Sequence, residues 1–234
     1  MIALLLVDIQ NDFLPGGALA VSEGDQVISV ANRLMPGYPL VVATKDWHPA
    51  HHKSFASQHL GKKIGDVIEL EGLTQVLWPD HCIQGTSGAE FAPGLNVGGI
   101  DHVVTKGTDP QIDSYSGFFD NARLKKTGLE DYLHSAGVNE VHIVGLATDY
   151  CVKFTALDAV ELGFKTTVIL EGVRGVELQP GDCAAAITTM AKAGIRIQRK
   201  ENDDHRILFN EGHLRRVLQL RSISVRDRRS RLPD

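Results

Sequence analysis

EVHIVGLATDYCVKFTALDAVELGFKTTVIL, residues 140–170, contains two apolar runs on either side of a segment with helical spacing. The run at 140–146 ends in IVGL and the run at 165–170 ends in VIL, and such consecutive apolar residues are typical of strands buried on both faces of a parallel sheet. Between them, 150–163 has the spacing of a helix that ends at Gly163, since glycine accepts the left-handed conformation that stops a helix. The stretch therefore predicts a strand–helix–strand unit.

The same alternation continues through most of the chain. Further strands are predicted at 2–7, 39–45, 102–106 and 195–198, and further helices at 27–35, 129–137 and 180–194. We therefore predict an α/β fold, a three-layer α/β/α sandwich with a parallel sheet of about six strands joined by right-handed crossovers. Little regular structure is predicted for 46–100, and 107–125 is predicted to be a long loop, a kind of segment that is often functional.

Composition restricts the class of protein. The chain has 234 residues with a formal net charge of −5, which suits one domain with a sizeable core and does not favour nucleic acid as a partner. The charge is unevenly distributed, because residues 205–234 contain eight Arg and three acidic residues. We expect this basic end to be a separate feature that forms a short helix in RILFNEGHLRRVLQL followed by a disordered tail.

Neither the N-terminal segment nor the cysteine content indicates export or a membrane span. The N-terminal MIALLLV has no basic segment before it and meets Asp8 at once, so it is too short for a signal sequence or a membrane span. Three cysteines without a CxxC spacing do not form a disulfide framework. The sequence therefore predicts a protein of a reducing, cytoplasmic compartment with no membrane partner.

Chemically useful side chains follow the predicted strands at their carboxyl ends, where open parallel sheets bind ligands. Asp8 ends the first strand, Lys106 ends the third, and Cys151 begins the helix after the fourth. A helix N-terminus capped by Thr148 or Asp149 and a nearby Lys would favour the thiolate, and a carboxylate would take the thiol proton. A Cys-Lys-Asp hydrolytic site is one interpretation. A structural Lys106–Asp8 ion pair beside a packed cysteine is equally compatible with the spacing.

A second group of residues suits a metal ion. In DWHPAHHKSF (46–55), Asp46 and His48 point to the same side of an extended chain, and WPDHC (78–82) supplies His81, with His51 or His52 in reserve. Carboxylate and imidazole together suit Zn, Fe or Mn rather than Ca. Surface or hydrogen-bonded core histidines would give the same spacing.

The motifs together carry a family resemblance. LLLVDIQNDFLPGGALAV, KDWHPAHHKSFASQH, WPDHCIQGTSGAEF, TKGTDPQIDSYSGFFDN, GLATDYCVKFTALDA and EGVRGV resemble the nicotinamidase/pyrazinamidase family of the isochorismatase-like hydrolases, and especially its bacterial members. The resemblance runs along almost the whole chain up to about Gln198. It implies an isochorismatase-like hydrolase domain at 1–200 and a basic C-terminal extension at 201–234 that departs from the family pattern.

The resemblance also implies roles for individual residues. The catalytic triad falls on Asp8, Lys106 and Cys151, and the metal ligands fall on Asp46, His48 and His81. His52 matches a histidine that binds the metal directly in some members and only neighbours the ligands in others. The peptide bond Leu146–Ala147 is expected to be cis, with the N–H groups of Ala147 and Cys151 forming an oxyanion hole. The pocket for the pyridine ring is expected to be walled by Phe13, Trp78, Tyr115 and Tyr150.

The implied reaction is hydrolysis of nicotinamide to nicotinate and ammonia through a cysteine thioester, with pyrazinamide as a side substrate, in NAD salvage. One divalent metal ion is expected, zinc before iron or manganese, with a small-molecule amide as substrate and a homo-oligomer as an open option. Three alternatives are an amidase for another small amide, a metal-stabilised binding protein with a structural cysteine, and an ester-type isochorismatase. The metal motifs disfavour the first, and Cys151 disfavours the last.

Overall fold

The computed structural model describes residues 1–199 and contains a central, wholly parallel sheet of six strands in the order β5-β2-β1-β6-β7-β8. The predicted α/β fold is confirmed. The strands along the described chain are β1 (Ile2–Val7), β2 (Val41–Asp46), β3 (Val67–Leu70), β4 (Leu73–Val76), β5 (His102–Lys106), β6 (Glu140–Leu146), β7 (Lys165–Arg174) and β8 (Arg196–Gln198).

Helices cover both faces of the sheet and form the outer two layers. The α-helices of the described chain are α1 (Gln26–Leu34), α2 (Leu129–Ser135), α3 (Lys153–Glu161) and α4 (Asp182–Lys192). Strand β1 shows why an unbroken apolar run was needed, because Ala3, Leu5 and Val7 enter the core beneath α2, α3 and α4, whereas Leu4 and Leu6 enter the core beneath α1. Each strand residue therefore buries apolar surface on one side or the other.

The strand order creates a crevice next to β1. Strand β1 pairs with β2 on one side and with β6 on the other, so the chain winds outward in opposite directions from it. Ligands of open parallel sheets bind at such a switch point, outside the carboxyl ends of the strands. Register places Val7 beside Gly145 and Asp46 beside Lys106, so the polar residues that end these strands meet at one edge.

One region predicted to hold little regular structure contains a short hairpin, and one strand boundary was wrong. The region 46–100 contains an antiparallel hairpin of β3 and β4, whose two-residue turn places Glu71 at φ 49° and Gly72 at φ 76°. Its strands have only four residues each and contain only one buried residue between them, so no long apolar run marks them. Strand β7 is also longer than predicted, because EGVR (171–174) continues it to Arg174.

The basic extension at 201–234 and the helix predicted within it lie outside the described residues. Within residues 1–199, no helix has the length and apolar character that crossing a bilayer requires.

Candidate active site

Three residues from different strands meet in a buried cluster at the carboxyl edge of the sheet. Asp8 directly follows β1, Lys106 is the last residue of β5, and Cys151 lies in the turn after β6. Lys106 Nζ lies 3.0 Å from Asp8 Oδ2 and 3.4 Å from Cys151 Sγ. Asp8 and Lys106 are 0% and 1% exposed, and Cys151 is 6% exposed. The predicted triad residues are therefore together, and none of them is a surface group.

The three protons of the Lys106 ammonium are all used. They are donated to Asp46 Oδ1 (2.6 Å), to the Ser114 carbonyl (2.7 Å) and to Cys151 Sγ (3.4 Å). Asp8 Oδ2 thus forms a close ion pair with Lys106 but accepts no aligned hydrogen bond from residues 1–199. The other carboxylate oxygen, Asp8 Oδ1, accepts the Thr44 hydroxyl at 2.6 Å. Oδ2 is consequently the oxygen that is free to take a proton from the thiol.

Burial and the neighbouring charges set the pKa values of the three residues, and hence their protonation. It raises the pKa of the Cys151 thiol well above its ordinary value, and the opposing effect of Lys106 is smaller. Burial also raises the pKa of Asp8, which makes it a stronger base than an exposed aspartate. Burial alone would lower the pKa of Lys106, but Asp46 and Asp8 raise it well above its ordinary value and keep the ammonium charged. Cys151 therefore rests as a thiol, and the thiolate that Lys106 favours forms when a base takes its proton.

Cys151 lies in a π-helical turn, Thr148–Val152, that precedes α3. The N–H groups of Tyr150 and Val152, on either side of Cys151, both donate to the Ala147 carbonyl at 3.1 and 3.0 Å. The peptide bond between Leu146 and Ala147 is cis, as predicted. Turns with this wider hydrogen-bonding pattern are frequently found at functional sites.

The predicted helix cap was wrong. Ala147, with extended φ and ψ of −102° and 149°, occupies the cap position, and no side chain caps the turn. Asp149 instead accepts the N–H groups of Val176 and Glu177 at 2.9 and 2.8 Å. Its carboxylate thus fastens the segment after β7 to the turn that carries Cys151, which the sequence did not indicate.

The first three predicted metal ligands converge beside the triad. One oxygen of Asp46 and one nitrogen each of His48 and His81 lie within 4.8 Å of one another. His48 Nδ1 is 2.9 Å from the Gly107 carbonyl, which only accepts hydrogen bonds, so Nδ1 carries the proton and Nε2 presents a lone pair. Gly107 has φ +64°, and a Cβ there would lie 2.4 Å from the His48 ring, so the close support requires glycine.

The structure also distinguishes the two reserve histidines. His51 is exposed, whereas His52 is fully buried with its ring centroid 4.4 Å from that of His48. Burial lowers the pKa of His52 to about 4, so its imidazole is neutral at neutral pH. Only His52 is placed to serve the metal centre.

Two further residues of the site were not predicted. Gln10 Oε1 accepts the Asp46 N–H at 2.8 Å, and its Nε2 donates to the carbonyls of Asp46 (2.8 Å) and Ala89 (2.9 Å). Gln10 thereby holds the backbone of a candidate ligand. Asp113, 3% exposed, lines the same cavity as Asp46 and His81. The only signals in the sequence were polar residues in otherwise apolar or loop surroundings, and such residues are common.

Aromatic side chains enclose the space next to Cys151. Phe13, Trp78, Tyr115 and Tyr150 line one cavity with Cys151, together with Leu19 and Val176, which were not predicted. The Trp78 and Tyr150 rings meet edge to face at 4.8 Å. The Tyr115 hydroxyl accepts the Trp78 indole N–H at 3.1 Å, which fixes both rings. Flat apolar walls of this kind suit a small aromatic ring.

Comparisons with known proteins agree with this geometry. The Isochorismatase domain model matches residues 2–202. A nicotinamidase of Escherichia coli (strain K12) is 53% identical over 196 residues, covering 82% of this chain and 92% of its own. Among solved structures, a nicotinamidase/pyrazinamidase of Acinetobacter baumanii is 46% identical with a TM-score of 0.82, covering 85% of this chain and 95% of its own.

A third relative concerns the metal. A pyrazinamidase of Pyrococcus horikoshii, solved in complex with zinc, is 38% identical with a TM-score of 0.69, covering 85% of this chain and 98% of its own. The match of the domain model to most of the chain and the 53% identity to a curated relative are decisive for membership. The chain belongs to the isochorismatase family and groups with its nicotinamidases.

Proposed function

We propose that this protein is a metal-dependent amidase that hydrolyses nicotinamide to nicotinate and ammonia through a thioester on Cys151, with pyrazinamide as a side substrate. The single observation that carries the proposal is the position of Lys106 Nζ, which contacts Asp8, Asp46 and Cys151 at 3.0, 2.6 and 3.4 Å. One buried ammonium therefore joins the nucleophile, its base and a candidate metal ligand. A structural ion pair beside an inert cysteine would not need the thiol contact.

The donor set fits a divalent cation. Asp46 Oδ2 lies 3.5 Å from His48 Nε2 and 3.8 Å from His81 Nε2, and His48 Nε2 has no hydrogen-bond partner within residues 1–199. Carboxylate and imidazole in this number suit zinc, with iron and manganese as alternatives. When bound, the ion would supply a Lewis acid for the nitrogen of a pyridine ring.

Acylation begins with the proton of Cys151. Asp8 Oδ2 takes it, and the thiolate attacks the carboxamide carbon while the N–H groups of Ala147 and Cys151 stabilise the oxyanion. Lys106 stabilises both the thiolate and the Asp8 carboxylate by its charge. The proton on Asp8 then passes to the amide nitrogen and the C–N bond breaks. Ammonia departs, and the acyl group stays on Cys151 as a thioester.

Deacylation uses the same base. Asp8 takes a proton from water, the resulting hydroxide attacks the thioester carbon, and the C–S bond breaks. Cys151 recovers the proton and nicotinate is released. The raised pKa of Asp8, caused mainly by burial, suits a group that gives and takes a proton in each half of the cycle.

Ammonia release from nicotinamide by the full-length protein tests the proposal. We expect Cys151→Ala to lower kcat by a factor on the order of 10⁴ or more, whereas Cys183→Ala, which changes a half-buried cysteine outside the cluster, should leave it unchanged. Treatment with a chelator should abolish turnover, and added Zn²⁺ should restore it. Turnover retained in pure Cys151→Ala protein would refute the nucleophile, and turnover unaffected by metal removal would refute the metal dependence.

We further propose a cellular compartment, a metabolic role and a catalytic unit for the protein. All three cysteines are unpaired, which supports a reducing cytoplasm and a role in NAD salvage. We also infer that residues 1–200 form the catalytic unit and that 201–234 is a separate basic extension. A chain that ends at Asn202 should retain its activity, and loss of activity with loss of the folded state would make the extension part of the domain.

A further inference from the structure

A second polar cluster adjoins the three candidate metal ligands. One nitrogen each of His48 and His52 and one oxygen of Asp113 lie within 4.8 Å of one another, and all three residues are buried. His48 belongs both to this cluster and to the group it forms with Asp46 and His81. Asp113 thus stands next to the metal centre without being one of its predicted ligands.

Hydrogen bonds divide the three histidines into two kinds. The Ser54 backbone N–H donates to His52 Nδ1 at 3.2 Å, and a backbone N–H cannot accept, so the neutral His52 ring carries its proton on Nε2. His48 Nδ1 and His81 Nδ1 lie 2.9 and 2.7 Å from backbone carbonyls, which cannot donate, so these rings carry the proton on Nδ1. His48 and His81 therefore present an Nε2 lone pair, whereas His52 presents an Nε2–H.

The His52 donor needs an acceptor. His52 Nε2 is buried and has no hydrogen-bond partner within residues 1–199. Asp113 accepts the Ser114 N–H at 2.7 Å and lies 3.4 Å from Gln75 Nε2, which leaves most of the lone-pair positions of its carboxylate unassigned. Two polar atoms that share one water at tetrahedral angles and ordinary bond lengths lie about 4.5 Å apart, which is compatible with the limit of 4.8 Å in this cluster.

Charge gives an independent reason for Asp113. Its carboxylate is 3% exposed, and no Lys or Arg in the described part of the chain forms an ion pair with it. A buried anion without a partner is strongly unfavourable, so a cation is expected nearby. Lys106 lies within ion-pair distance of both Asp8 and Asp46 and offsets one of these two charges, and a divalent cation would offset the other together with that of Asp113.

We propose that His52 and Asp113 are positioning residues of the metal centre that hold a water molecule between them, with His52 contributing an N–H donor instead of a coordinating nitrogen and Asp113 contributing the acceptor. This inference rests on the metal centre of the proposed function. It assigns a role to Asp113 and selects one of the two roles that the family resemblance leaves open for His52.

Metal binding by the full chain tests the pair without reference to turnover. The apo protein and its variants are titrated with Co²⁺, and the dissociation constant and the visible absorption of the bound ion are measured. Glutamine retains an N–H donor at a reach similar to that of imidazole Nε2 but offers no imidazole lone pair. We therefore expect His52→Gln to retain Co²⁺ affinity within about threefold and His52→Ala to lose about 10- to 100-fold.

The remaining variants complete the design. Asp113→Asn should weaken Co²⁺ binding about 10- to 100-fold, whereas Asp80→Asn, the same change at an exposed carboxylate, should not. Because the two residues share one water, the effects of His52→Ala and Asp113→Asn should be less than additive. His48→Gln is the reference for loss of a true ligand.

Each outcome has a distinct meaning. If His52→Gln loses as much affinity as His48→Gln, His52 is a ligand and the inference fails. If Asp113→Asn binds Co²⁺ like the unaltered protein, Asp113 has no part in the centre and the inference also fails. Absence of metal binding by the unaltered protein refutes the metal centre itself. Normal metal binding without ammonia release from nicotinamide refutes the proposed reaction and leaves the positioning pair intact.

Discussion

Gln10 provides a sharp test of how the site is supported, because its side chain is fully buried and bonds only to backbone. Gln10→Leu conserves size but removes three hydrogen bonds of 2.8, 2.8 and 2.9 Å, two to Asp46 and one to Ala89. At about 1 kcal/mol for each lost bond, the free energy of unfolding of the metal-free protein should fall by about 3 kcal/mol. The Asp46 N–H loses its acceptor, and the carbonyls of Asp46 and Ala89 lose a donor.

The same change should affect the metal. Asp46 holds its carboxylate toward His48 and His81 from a backbone that Gln10 fixes, and loss of such support typically weakens metal binding about 10- to 100-fold. Urea unfolding of the apo protein and Zn²⁺ titration against a chelator measure the two effects separately.

Neighbouring variants serve as controls for Gln10. Asn11→Ala removes one hydrogen bond, to the Ser87 carbonyl, at an exposed position and should cost less than about 1 kcal/mol with no change in Zn²⁺ affinity. Gln10→Glu keeps an acceptor for the Asp46 N–H but turns an oxygen toward two carbonyls, so it should also be destabilising. Unfolding free energy within about 1 kcal/mol of the unaltered protein, together with unchanged Zn²⁺ affinity, in Gln10→Leu would refute the reasoning.

Two further predictions concern the proton-transfer residues. The Thr44 hydroxyl donates a hydrogen bond to Asp8, and this bond lowers the pKa of Asp8. Thr44→Val removes the hydroxyl, so the pKa of Asp8 should rise further. The reaction needs the carboxylate form of Asp8, which is lost as pH falls through this pKa. The acid limb of the kcat/KM profile should therefore move to higher pH. A move to lower pH would contradict the assignment of Asp8 as base. Lys106→Met should lower kcat/KM by a factor on the order of 10² to 10³ even where circular dichroism shows a folded protein. A folded Lys106→Met protein with kcat/KM near that of the unaltered enzyme would show that the ammonium is only structural.

The fold was largely predictable because burial leaves a direct trace in sequence. The run that became β1 is apolar at every position and the run that became β6 is apolar over its last four residues, IVGL, which is the pattern of strands covered on both faces. The hairpin of β3 and β4 left no such trace, since three of its eight strand residues are exposed and only one is buried, and its turn uses Glu71 in a left-handed conformation. Short, exposed strands owe their existence to pairing, which a single segment does not encode.

The site divides along similar lines. The sequence by itself determined that Asp8, Lys106 and Cys151 end or follow strands of one parallel sheet, because the apolar pattern marks the strand ends and parallel strands share one edge. It also determined the residue types that a metal and a thioester need. Whether Cys151 was packed or reactive depended on distances, and these come only from the folded chain.

Only the tertiary structure decided which site residues carry a proton and which residues hold the catalytic and metal-binding side chains in position. The sequence places both a lysine that favours a thiolate and a carboxylate that can take a thiol proton near Cys151, but burial raises the pKa of the thiol, and burial is a property of the assembled layers. Gln10 belongs to the site because Asp46, 36 positions along the chain, donates its N–H to it. Asp113 belongs to the site because it lies within 4.8 Å of His48, which is 65 positions away in sequence. The choice between His51 and His52, one exposed and one buried, was likewise made by packing, because adjacent histidines are equivalent until the chain turns one of them inward.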